Sequence, residues 1–223
     1  MQDPRLGPSG GGYAVWLMPD ETSAAPLTKV IKSLSKTPSA LSPDPDARDL
    51  SIFDPHLTLW VPHGKAAEDI EFFKTALKRA VQKFRQKMGA KEGQAVGIHL
   101  QLDDPAAGTG WWNPVFSPVV QTSGAETVVY LRRLIEYECG EPASPTGWFP
   151  FVPDNEWCPL FPLAYTDPEW HWQGLQSMAI RADMVVQASR VVKFPLHARC
   201  PNVAILDLRG QVEDWKVVDV VNL

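Results

Sequence analysis

The chain has 223 residues, 44% of them hydrophobic and 21% charged, with a formal net charge of −5. That is long and apolar enough to bury a substantial core, and it predicts one domain or two closely packed lobes. The acidic balance argues against sequence-independent binding to long nucleic acid, which needs many cations to displace counterions, but leaves room for a small phosphate ligand.

Cys139, Cys158 and Cys200 are odd in number and widely spaced, unlike a zinc site or a disulfide framework, and read as reduced thiols. "MQDPRLGPSGGG" has no apolar signal core, and no stretch approaches the ~20 apolar residues of a membrane span. The expectation is a cytoplasmic protein with no membrane partner, a flexible leader over residues 1–12 and a single domain over 13–223. Its 21 prolines and 9 tryptophans stand out.

"YAVWLMP" (13–19) reads as a short buried strand stopped by Pro19. A helix is predicted from about 25 to 35, with Leu27, Val30, Ile31 and Leu34 on one face. The Pro- and Asp-rich "TPSALSPDPDARD" is a surface loop. "HLTLWV" (56–61) is a strand whose alternation puts His56, Thr58 and Trp60 on one face. A long amphipathic helix from about 66 to 87 carries Ile70, Phe73, Leu77, Ala80, Val81 and Phe84 inward.

Strands are predicted at 95–102 and 115–121, separated by a loop holding Trp111 and Trp112, and a helix over 125–138. The Pro- and aromatic-rich "GEPASPTGWFPFVPDNEW", with Trp148, is a long loop of functional or mobile type. A strand at "CPLFPLAYTD" leads into a helix over about 168–188. Strands near 191–198, 203–208 and 215–221 close the chain. The order suggests two α+β halves of similar build.

His56 is the best candidate for chemistry. Two residues apart on a strand, His56 and Thr58 project from the same face about 6 to 7 Å apart. The histidine would transfer a proton while the hydroxyl supports an oxyanion.

"YAVWLMP", "FDPHLT", "VFSPVVQTS", "CPLFPLAYTD" and "VAILDLRGQVEDWKVVDVVNL" together resemble the 2H phosphoesterase superfamily, and within it the cyclic phosphodiesterases of fungi and plants. The resemblance implies a bilobal α+β fold with antiparallel sheets around a central groove. Two motif strands would face each other across it, each supplying a histidine and a Ser or Thr, with no metal and no cofactor. His56 and Thr58 match the first motif.

The second motif, Pro-His-x-Ser/Thr, is occupied by Pro159, Leu160, Phe161 and Pro162. Leu160 carries no proton, and Pro162 has neither hydroxyl nor N–H. Losing one proton-transfer group alone removes about 10² to 10⁴ in rate.

If strand parity carries through, Leu160, Pro162 and Ala164 face His56, giving the groove one apolar wall suited to an uncharged ligand. Trp16, Trp60, Trp111, Trp112 and Trp148 are candidate pocket residues. Tyr165 matches the motif's closing tyrosine, but points into the groove only if the strand ends before it.

Three readings follow. In the first, the scaffold is a repurposed enzyme acting on an apolar small molecule with His56 as its single acid/base, by isomerisation, cyclisation, dehydration or hydrolysis. In the second it is a non-catalytic member binding a small molecule or a partner, which a buried His56 with both ring nitrogens engaged would favour. In the third it is a cyclic phosphodiesterase whose second acid has moved to His99, His197 or a tyrosine. Oligomeric state is left open.

Overall fold

The structure is a computed structural model describing residues 12–36, 50–62, 64–91, 93–108, 114–140, 158–165, 178–210 and 212–223. Its first strand, β1 (Tyr13–Met18), is buried on both faces from Ala14 to Leu17. Such a strand reads as a continuous apolar run rather than an alternation, and it belongs in the middle of a sheet. It lies there, between β2 (Leu57–Trp60) and β8 (Asn202–Asp207), with β9 (Lys216–Asn222) at the far edge and every pairing antiparallel.

Val15, Leu17, Leu57, Leu59, Val203 and Ile205 form one face of this sheet and join the main core. The helices against it are α3 (Ile70–Lys87) and α4 (Glu126–Glu138), which also pack on each other. Helix α3 starts at Ile70 because Asp69 caps it, the carboxylate accepting from the N–H of Glu71 and of Phe72 at 3.1 and 3.0 Å. A short α2 (Gly64–Glu68) precedes that break, so the single helix predicted from 66 is two. A short acceptor such as Asp competes with the helix ladder and favours a start over a continuation.

The second half holds β3 (Ile98–Leu102) paired with β7 (Leu196–Cys200), and a sheet in the order β4 (Ala106–Ala107), β5 (Val115–Pro118), β6 (Leu160–Pro162). A bridge between Leu102 and Val119 joins the two ladders. Helix α1 (Glu21–Ser35) packs on β7 and on α5 (Met178–Val191), which in turn covers β4 and β5. The capping carboxylate of Asp20, accepting from Ser23 N–H at 2.9 Å, starts α1 four residues before the predicted Ala25. Helix α5 runs through Val191, so the strand expected at 191–198 begins only at Leu196. The result is an α+β fold with antiparallel sheets in two similar halves, as the motifs implied. Among the described residues no helix is long and apolar enough to cross a membrane.

The turn before α4 depends on one glycine. Gly124 has φ +78°, and a Cβ there would lie 2.3 Å from the carbonyl oxygen of His99 on β3. Gly124→Ala is therefore expected to cost about 2 kcal/mol or more, from the left-handed strain and the backbone collision together. Urea unfolding measures this; a loss below about 0.5 kcal/mol would contradict it.

Candidate functional site

Helices cover one face of the four-stranded sheet. Its other face carries Ala14, Trp16, Ala204, Leu206 and Leu208, which form a second apolar cluster with Met18 and Trp215 packed against it. Trp215 lies just before β9, and the chain from Leu50 to His56 precedes β2. Phe53 and Trp215 also close over Tyr165 and Ile31 in a third cluster.

His56 sits inside this cover with no exposed surface. Its ring stacks on Trp16, with centroids 3.3 Å apart and planes 4° from parallel. Phe53 meets it edge-on at 5.6 Å. Nδ1 lies 2.7 Å from the carbonyl oxygen of Asp54. A carbonyl only accepts, so Nδ1 carries the proton and Nε2 is the acceptor. Nε2 then takes the hydroxyl hydrogen of Tyr165 at 2.9 Å.

Thr58 acts on Tyr165 in turn, drawing its pKa down. A three-member chain results: Tyr165 to His56 to the Asp54 backbone.

Burial sets the protonation. It lowers the His56 pKa from its ordinary 6.5 to about 3, with the Asp54 bond opposing only in part. Burial likewise raises the Tyr165 pKa above that of a free phenol, against the weaker pull of Thr58. Both groups are neutral across the physiological range, because an uncompensated charge in such a place costs more than any partner returns.

The predicted site residues within the described part of the chain fall into two groups. His56, Thr58, Trp16 and Tyr165 come together. Tyr165 reaches the histidine because β6 ends at Pro162, which releases the next residues from strict alternation.

Trp60 does not face the site. The β1–β2 register moves from Trp16↔Thr58 to Val15↔Trp60, so Leu59 is an extra residue and the bulge turns Trp60 onto the helix side. There it meets Phe73 of α3 edge-on at 5.9 Å. Ala164, expected beside Leu160 and Pro162, instead joins the main core with Leu163.

Leu160 and Pro162 lie on β6, which runs beside β2 and pairs with β5 through Phe116↔Pro162 and Pro118↔Leu160. Leu160 is half-buried and Pro162 buried, while Phe161 between them is fixed in the main core. Trp111, Trp112 and Trp148 lie outside the described residues. His99 and His197 are exposed on β3 and β7, whereas His56 is enclosed by Trp16, Phe53 and Tyr165.

A sequence profile described as "Cyclic phosphodiesterase-like protein" matches residues 11–223. The chain belongs to that family. The family places it in the 2H phosphoesterase superfamily, as its motifs suggested. No curated protein matches the chain. Among solved structures it is similar to Kluyveromyces marxianus Usb1, with 13% identity, a TM-score of 0.48 and coverage of 96% of this chain and 99% of that one.

Within this cyclic phosphodiesterase-like chain, sequence reasoning missed Phe53, the Asp54 carbonyl and Trp215. One signal was available: a β1 strand apolar on both faces needs a cover on the side without helices, and aromatic residues flanking β2 and β9 are suited to provide it.

The depressed His56 pKa has a signed consequence. As pH falls, the unfolded chain takes up a proton near 6.5 and the native state does so only near 3, so the stabilising contribution is full above 6.5 and declines toward 3. Between pH 7 and pH 5 this amounts to about 2 kcal/mol. Urea unfolding at the two pH values should show that loss in the wild type and a correspondingly smaller one in His56→Phe. Equal losses in both would contradict the assignment.

Proposed function

We propose that this protein is a binding member of the cyclic phosphodiesterase-like family, without the two-histidine phosphodiesterase reaction. The observation that carries the proposal is the closure of His56: no exposed surface and both ring nitrogens engaged. A general acid or base must come within hydrogen-bond reach of a substrate proton, directly or through one water. Here the reach is filled by Tyr165 on one side and the main chain on the other.

The second motif supports the same conclusion independently. Leu160 and Pro162 offer neither a proton nor a hydroxyl hydrogen. Tyr165 approaches His56, but the two bond directly to each other and leave no space for a phosphate between them. Burial also makes the tyrosine a weaker acid, the opposite of what a relocated leaving-group acid needs. The reading of a repurposed enzyme with His56 as its acid/base meets the same obstacle, since an apolar substrate would still have to touch the imidazole. What the chain keeps is an aromatic-walled face suited to an uncharged small molecule.

Purified protein should leave all four 2′,3′-cyclic nucleotides unhydrolysed, at rates indistinguishable from those of His56→Ala. Turnover by the wild type that disappears in a His56→Ala protein with an intact thermal transition would overturn the proposal.

A further inference from the structure

Strand β9 contributes "KVVDVV" (216–221), four valines interrupted by one carboxylate, and it ends the four-stranded sheet. Among the described residues no strand pairs with its outer side. Val217 and Val220 are each 50% exposed. A valine-rich strand at an open edge is a template for strand addition, and folded proteins block such edges by identifiable devices.

The ladder shows which groups this edge presents. Leu223 N–H donates to the carbonyl of Pro201 at 2.8 Å, so these two residues face each other as a hydrogen-bonded pair. Bonded and non-bonded pairs alternate along an antiparallel ladder. Counting back through Asn202↔Asn222 and Val203↔Val221 makes Ala204↔Val220 a non-bonded pair. The N–H and C=O of Val220 therefore point away from β8, off the open edge.

That N–H is already taken. Asp219 Oδ1 accepts it at 2.9 Å. The other carboxylate oxygen lies 3.4 Å from Nζ of Lys78 on α3, so a helix packed on the sheet holds the acceptor in place. Beside it, Val218 is an extra residue in the β8–β9 register, a bulge of the kind that turns an edge out of pairing.

The occupant that this arrangement excludes is another β9. An antiparallel edge is self-complementary: two copies related by a two-fold axis at Val220 would exchange its N–H and C=O bonds and continue the sheet, with the exposed Val220 side chains side by side. Such pairing requires each Asp219 to give up its bond to Val220, and it brings the two carboxylates toward each other.

We infer that Asp219 guards this edge: its carboxylate, held by Lys78, occupies the hydrogen bond through which β9 would otherwise join the β9 of a second copy, and so keeps the chain monomeric. The inference is independent of the binding role proposed above.

Analytical ultracentrifugation of the full chain tests it. The wild type should sediment as a monomer of 24.8 kDa at every concentration up to the solubility limit. Asp219→Val should self-associate at least about tenfold more tightly, because a charge-assisted hydrogen bond in each copy no longer opposes pairing. Adding Val220→Pro to Asp219→Val should restore the monomer, since proline removes the outward N–H and is tolerated on an edge strand at such a position. Asp219→Ala replaces Asp219→Val if the latter lacks a cooperative thermal transition. The inference is overturned if the wild type is itself a dimer, if the folded Asp219 variant stays monomeric, or if the double variant associates as strongly as Asp219→Val, which would make the contact apolar adhesion rather than strand pairing.

Discussion

His56 donates through Nδ1 to the carbonyl of Asp54 and accepts through Nε2 from Tyr165, and between these bonds its ring lies flat on Trp16. The three contacts join the segment before β2, the first strand of the chain and the residues just beyond β6. They can coexist only while the imidazole is neutral, with its hydrogen on Nδ1. Burial supplies that condition by holding the pKa near 3. The group that the first motif would present for proton transfer has become the polar centre of an aromatic cluster, satisfied on both sides and closed to solvent.

The arrangement depends on which face of the sheet has helices. On the core face, Val15, Leu17 and Leu59 meet α3 and α4, and the bulge at Leu59 brings Trp60 there as well. The other face is covered by side chains from outside the sheet: Phe53, Tyr165 and Trp215 close over Trp16 and one another in edge-on pairs. Such contacts hold rings at fixed angles and leave gaps where no ring reaches. A cavity beside Trp16 is one such gap, and the Trp215 N–H, without a partner among the described residues, belongs to the same cover.

Much of the fold was legible in the residues. The continuous apolar run in "YAVWLM" marked a buried strand, and the period of Phe73, Leu77, Ala80, Val81 and Phe84 marked a helix. The motif residues Pro159 and Tyr165 marked the second strand despite Leu160 and Pro162 between them. The errors arose where a single residue changes the phase. One extra residue at Leu59 turned Trp60 away from the site, and Asp69 divided a helix whose apolar period runs on without interruption. The closure of His56 was not legible, because it depends on Phe53, Tyr165 and Trp215, which are far apart in the chain and converge only through the sheet order.

The most direct test of this account is the titration of His56 itself, followed through its ring ¹⁵N and Cε1–H resonances in the native protein. The account predicts a neutral Nδ1–H tautomer that persists unchanged from pH 8 down to about pH 4, where an accessible histidine would already be protonated. An imidazole that titrates between pH 6 and 7 with the fold intact would show it open to solvent, contradicting both its closure and the non-catalytic role built on it.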